Sequence, residues 1–160
     1  MVIGVISDTH GLLRPEAMAA LRGADSIIHA GDIGDPAILV KLAEMAPVTA
    51  VRGNVDGGDW AQNIPATNVL EVGGIGIYVL HILERLDLKP EAAGLAAVVC
   101  GHSHVPKQET KNGVLYFNPG SAGPRRFNLP VTVGRLLVEP GTIRGEFLAL
   151  HPGSTWESTL

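Results

Sequence analysis

One cysteine, Cys100, stands among 160 residues, so no disulfide can close within the chain, and a reducing compartment is expected. Basic residues are too few for a basic stripe. Twelve Lys and Arg face sixteen Asp and Glu, a net charge of −4, which argues against a nucleic acid held by electrostatics. No apolar run approaches the ~20 residues of a membrane-spanning helix. Met1-Val2-Ile3-Gly4 opens directly on strand-like residues, without the basic region and cleavage site of a signal peptide. A cytoplasmic protein without membrane or nucleic-acid partner is the expectation. Repeats, linkers and low-complexity segments are also missing, and the 20 glycines and 11 prolines are dispersed. What remains is 46% apolar and 18% charged, the profile of one globular domain. We place it at residues 1–150, with 151–160 as a fraying Ser/Thr-rich tail.

Val2 to Ile6 is β-branched on both faces, as in a buried parallel strand. Helix-forming residues from Pro15 to Leu21, a strand Ser26–His29, a helix Pro36–Ala46 with Asp35 as N-cap, and a strand Val48–Val51 complete a βαβαβ beginning. The pattern then changes. Asn68–Val72 and Ile75–Leu80 flank the hairpin signal Gly73-Gly74, and Val105–Thr110 and Val114–Asn118 flank Lys111-Asn112-Gly113. Between them Ala96–Cys100 reads as another buried strand, and the last pair, Val131–Val138 and Thr142–Leu150, turns at Pro140-Gly141.

Polar residues gather just past these strands. Asp8 and His10 follow the first, Asp32 the second, Asn54 the third, His81 the Ile75–Leu80 strand, and His102 and His104 the strand ending at Cys100. Loops after parallel strands meet at one edge, so seven oxygen and nitrogen donors would crowd one crevice. Desolvating them without a counter-charge is costly. Divalent cations such as Mn, Fe, Co, Ni or Zn resolve that conflict, since carboxylate, amide oxygen and imidazole all ligate them. The two-residue spacing of Asp8/His10 and His102/His104 predicts extended segments whose alternate side chains address one site. Gly31, Gly53 and Gly101 each precede a donor, which predicts sharp backbone turns there.

Asp8-x-His10, Gly31-Asp32, Gly53-Asn54-x-Asp56, His81 and Gly101-His102-Ser103-His104, in this order, resemble the signature of calcineurin-like metallophosphoesterases, in particular the small YfcE-like phosphodiesterase branch. The likeness extends to Asn118-Pro119-Gly120-Ser121 and Pro124-Arg125. It implies an α/β fold, a four-layer αββα sandwich with two mixed sheets face to face. It also implies two divalent ions, Mn first among them. Asp8, His10, Asp32 and His104 would hold one; Asp32, Asn54, His81 and His102 would hold the other, with Asp32 bridging.

The function implied is hydrolysis of a small phosphate ester, a phosphodiester more than a monoester, by a hydroxide between two metals. Asn54 and His102 would stand near the phosphate, and Asp56 would support a ligand or a loop amide. The alternative is a non-catalytic scaffold, as in the retromer subunit similar to this family, or a regulatory metal-binding module. Val55 stands where larger relatives carry a His that protonates the leaving group, so good leaving groups should react best. Ile82-Leu83 replaces the family's Gly-His after His81, which predicts a second metal bound more weakly or in altered geometry. Arg125 and Arg126 either fork onto a phosphate or face solvent. His29 reads as a structural hydrogen-bonding residue, Cys100 as core, and the C-terminal strands as a candidate surface for a homo-oligomer.

Overall fold

The computed structural model describes residues 1–156. Two five-stranded mixed sheets lie face to face. The first is built from β1 (Val2–Ile6), β2 (Ser26–His29), β3 (Val48–Ala50), β9 (Thr132–Glu139) and β10 (Thr142–Ala149), ordered β10-β9-β1-β2-β3. The second contains β4 (Thr67–Val72), β5 (Ile75–Leu80), β6 (Ala97–Val99), β7 (Pro106–Lys111) and β8 (Val114–Pro119), ordered β4-β5-β6-β8-β7. β1, β2 and β3 run parallel, as the βαβαβ reading requires, and so do β5, β6 and β8. The last hairpin returns to the first sheet, where β9 pairs antiparallel with β1 through Ile3 opposite Leu136.

The alternation along each strand decides what fills the sandwich. Ile3 and Val5 of β1 point inward with Ile28, Leu136 and Val138, and meet Ile77, Val79, Val99 and Phe117 of the other sheet. Phe117 is fully buried and stacks on Phe147 with ring centroids 4.9 Å apart. The glycines Gly134 and Gly145 leave room for that ring, since a Cβ at either would strike it. The opposite face of the first sheet is covered by α1 (Pro15–Leu21) and α2 (Ala37–Ala43), whose Ala17, Leu21, Ile38 and Leu42 pack on Ile6 and Ile27. Outside the second sheet, the covering layer is a 3-10 turn at Leu83–Arg85 and the segment after it, with Leu83, Leu86, Leu88 and Leu95 on Tyr78, Leu80 and Val98.

Two expectations, both about the second helix, change in detail. The second helix spans Ala37–Ala43 rather than Pro36–Ala46, because its last turn loosens into Met45 and Ala46 bonds to Leu42 before Pro47 ends it. Pro36 takes the cap position; Asp35 instead accepts a hydrogen bond from the Ala37 N–H at 2.9 Å. A short helix α3 (Asp59–Gln62) and the 3-10 turn carried no clear sequence signal. Of the tail expected to fray, residues 151–156 are placed, and Trp156 packs: its indole N–H donates to the Ala20 carbonyl at 3.3 Å, under the Arg135 guanidinium. Residues 157–160 lie outside the described residues. Among the described residues no helix is long and apolar enough to cross a membrane.

Candidate metal centre

The loops after β1, β2, β3, β5 and β6 meet at one edge of the sandwich, and they carry the seven donors anticipated. Asp8, His10 and His104 form one cluster and Asp32, His81 and His102 a second, with the candidate ligand atoms of each within 4.8 Å of one another. The two clusters touch. Asp8 Oδ1 lies 3.2 Å from His104 Nε2, 3.7 Å from His10 Nε2 and 3.8 Å from His81 Nε2. Asp32 Oδ2 lies 3.2 Å from His81 Nε2 and 3.7 Å from His10 Nε2. Asn54 joins the second cluster through its Oδ1, 3.1 Å from His102 Nδ1.

The backbone reaches this arrangement differently from the expectation. Asp8, His10, Asp32, His102 and His104 all have positive φ, between 45° and 73°. Neither pair is extended, so side-chain alternation does not account for the spacing. His102 and His104 instead address different clusters. Left-handed backbone at a non-glycine residue costs of order 1 kcal/mol, and five such donors together mark a strained site held by its surroundings. The preceding glycines serve another purpose at two of three positions. Gly31 does turn, at φ 100°, but Gly53 and Gly101 are needed because a Cβ would collide with the Asp32 carboxylate at the first and with the Ser7 hydroxyl and the Asp8 carboxylate at the second. Asn54 is not among the positive-φ residues, so it is not a left-handed turn residue.

Hydrogen bonds fix the carboxylates from behind. Ser7 Oγ donates to Asp8 Oδ2 at 2.6 Å, and the His102 N–H donates to the same oxygen at 3.1 Å. The Val55 N–H donates to Asp32 Oδ1 at 3.1 Å. Asp56 touches no donor side chain; it accepts the N–H groups of Ile33, Gly34 and Gly53 and so ties the second and third loops together. His81 Nδ1 donates to the Ala30 carbonyl at 2.7 Å, which turns Nε2 towards Asp32 and makes it the nitrogen that would face a cation once deprotonated.

The sequence reading places Asn118 and Ser121 within the family likeness but gives them no role. Ser121 Oγ donates to the Asp8 carbonyl, and Asn118 Nδ2 donates to the Gly101 carbonyl and Ser103 Oγ, so one loop braces both donor pairs. His29 is structural, as expected: its Nδ1 accepts the Gly31 N–H and its Nε2 pairs with Thr9 Oγ1 at 3.0 Å. Arg125 and Arg126 are exposed on the loop after Gly123, with Arg126 near enough for its charge to act on His10. Ser7, whose hydroxyl holds the Asp8 carboxylate, is the supporting residue that the sequence reading misses, and it carries no motif signal.

Electrostatics describe a site that asks for positive charge. Burial works to raise the carboxyls of Asp8 and Asp32, yet the contacts from His104 and Ser7, and from His81 and the Val55 N–H, hold both below the ordinary carboxylate value. Burial lowers His10 in spite of both carboxylates, which leaves it a neutral imidazole. Burial also disfavours charge on His81, but Asp32, Asp8 and the Ala30 carbonyl outweigh it and raise its pKa. Asp8 Oδ1, His10 Nε2, His81 Nε2 and His104 Nδ1 are buried without hydrogen-bond partners. Each such orphan costs about 1–3 kcal/mol. Ionised carboxylates, neutral imidazole nitrogen and orphaned lone pairs fit divalent cations.

Residues 1–154 match the family model of the calcineurin-like phosphoesterase superfamily domain. A probable metallophosphoesterase of Methanocaldococcus jannaschii is 37% identical over 134 residues, covering 76% of this chain and 68% of that protein. A solved archaeal phosphodiesterase superimposes with a TM-score of 0.74 at 24% identity, over 91% of this chain and 98% of that one. Vps29 of Entamoeba histolytica, solved with zinc, gives a TM-score of 0.76 at 21% identity, over 96% of this chain and 95% of the other.

Proposed function

The chain belongs to the calcineurin-like phosphoesterase superfamily, and from that premise we propose that it hydrolyses phosphodiesters with two divalent cations, manganese foremost. The observation that carries this reading is the pair of clusters facing each other across Asp8 Oδ1 and Asp32 Oδ2, both oxygens within 3.8 Å of imidazole nitrogens. Asp8, His10 and His104 would hold one cation, and His81, His102 and Asn54 the other. Asp32 would serve both, since its Oδ2 lies 3.7 Å from His10 Nε2 and 3.2 Å from His81 Nε2. When bound, the cations supply Lewis-acid charge to phosphate oxygens and acidify a water.

The chain's own groups do the rest. Val55 N–H and Asp56 fix Asp32 and its loop, so the carboxylate need not reorganise during reaction. His102 and Asn54 are exposed at the rim, where an incoming phosphate passes. Arg126 adds positive potential on the His10 side. The Val55 side chain is also exposed there, 54% accessible, and carries no proton. Esters with good leaving groups therefore react best. The Vps29 likeness concerns the fold alone, and the complete donor set favours hydrolysis over a scaffold. The buried free thiol of Cys100 supports a reducing, cytoplasmic setting.

Release of p-nitrophenol from bis(p-nitrophenyl) phosphate with added Mn²⁺ tests the proposal. Asp32→Asn should lower kcat/KM about 1,000-fold, the several kcal/mol expected of lost cation charge at the phosphate. Equal rates in wild type and variant would refute hydrolysis at this site.

A further inference from the structure

We propose that the cavity beside the second cluster is a subsite for a second phosphoryl group on the substrate, an inference that rests on the phosphoesterase reading above. The cavity encloses about 200 Å³ and is walled by Arg52, Asn54, Thr67, His81, Ile82 and Arg85. Asn54 and His81 belong to the second cluster, so the cavity borders the metal centre on that side. Its volume is below the roughly 300–1,000 Å³ of a pocket for a whole small ligand, and so it takes one end of a substrate.

Its charge is unlike that of the chain around it. The protein carries a net −4, yet two arginines and no carboxylate line this cavity among the described residues. Neither arginine is neutralised elsewhere, since among the described residues neither forms an ion pair. Arg52 is held in place: its backbone N–H donates to the Pro65 carbonyl, and its Nη1 donates to the Ile64 carbonyl at 2.8 Å. That leaves four of its five guanidinium N–H groups for a ligand. Arg85 comes from the 3-10 turn after β5, on the other sheet. It exists at this place because the chain continues from His81 as Ile82-Leu83-Glu84-Arg85, where the 3-10 turn carries Arg85 back over the crevice. Two forked donors approaching from different sheets match a tetrahedral oxyanion with several acceptor oxygens.

The substrate class that follows is a phosphate ester bearing a second phosphoryl group, with the scissile phosphate at the metal centre and the other between Arg52 and Arg85. Two chromogenic esters test it: thymidine 5′-(p-nitrophenyl phosphate) and the same ester carrying a 3′-phosphate. The Mn²⁺-loaded wild type should favour the second in kcat/KM by about tenfold, and Arg85→Glu or Arg52→Ala should remove that preference. Arg85 makes no hydrogen bond through its side chain among the described residues, so its variant reads the subsite rather than the fold. Calorimetric titration of pyrophosphate into EDTA-treated protein gives a second readout, with binding weakened about tenfold in either variant. An unchanged preference together with unchanged pyrophosphate binding overturns the subsite. Failure of wild type to cleave either ester refutes the hydrolytic reading instead, while the calorimetry still decides for or against the subsite.

Discussion

The two donor clusters are built from the same residue types but are supported in opposite ways. Asp8 is wholly buried, and its carboxylate, carbonyl and N–H all have partners: Ser7 and the His102 N–H, Ser121, and the Gly31 carbonyl. His104 is buried beside it. Across the shared edge, His102 and Asn54 are exposed, and each has the other as its side-chain partner. Only Asp32 and His81 of that cluster are buried. A cluster with a buried carboxylate backed by hydrogen bonds, whose His10 alone is partly exposed, suits retention of a cation, whereas one with an open rim suits exchange with solvent and substrate. The arginine-lined cavity lies on the open side, which is where a substrate would be received.

The largest effect should come from cutting each cluster separately. His104→Ala removes a buried ligand from the enclosed cluster, and His102→Ala an exposed one from the open cluster. Metal content of purified wild type should approach two equivalents and fall to about one in either variant, since the clusters share Asp32 rather than a histidine. The sharper expectation concerns dialysis. Wild type against a weak chelator should lose one equivalent well before the other, and His102→Ala should lack the labile equivalent. If both equivalents leave wild type together, the contrast between enclosed and open clusters is wrong.

That contrast was half legible in the sequence. Each donor follows a strand, and parallel strands deliver their following loops to one edge, so Asp8, Asp32, Asn54, His81, His102 and His104 could be brought together before any coordinates. The hairpins at Gly73-Gly74 and Asn112-Gly113 were legible for a similar local reason: two adjacent residues with positive φ close a two-residue turn. Burial was not legible. It depends on contacts such as Ser121 on Asp8, 113 residues apart, and on β9 pairing with β1 across the length of the chain. The left-handed backbone of the donors was hidden because Asp and His carry no strong signal for it. Trp156 looked like part of a loose tail because its partners, Ala20 and Arg135, are distant in sequence.

A second way to probe the difference uses the residue behind the enclosed cluster. His29 is fully buried, and burial pushes its pKa down to about 4. Unfolded, it titrates near its ordinary 6.5. Above pH 6.5 neither state is protonated and its neutral contacts to Thr9 and Gly31 are at full strength. As pH falls from 6.5 towards 4, the unfolded chain takes up the proton first and stability is lost, about 3 kcal/mol in all. Chemical denaturation of metal-free protein at pH 7 and pH 4.5 should show this loss, and His29→Gln should show less of it despite a lower starting stability. An identical pH dependence in the variant would mean that His29 is not the group that resists charging.

The smallest effect should belong to Asp56, which braces the open cluster without touching a donor side chain. Its Oδ2 accepts Gly53 N–H at 2.8 Å and Ile33 N–H at 3.1 Å, and its Oδ1 accepts Gly34 N–H at 3.0 Å. Asp56→Asn keeps the shape but turns one acceptor into a donor, so at least one N–H loses its partner and faces an amide N–H instead. Stability should fall by about 1–3 kcal/mol. Because Gly53 precedes Asn54 and Ile33 follows Asp32, the displaced amides move ligands of the open cluster, and affinity for the labile cation should drop about 10–100-fold. The retained cation, held chiefly by Asp8, His10 and His104 with Asp32 as the shared ligand, should weaken less than the labile one. Isothermal titration of Mn²⁺ into the apo variant separates the two steps. A uniform weakening of both would place Asp56 in support of the whole crevice and erase the asymmetry between its two sides.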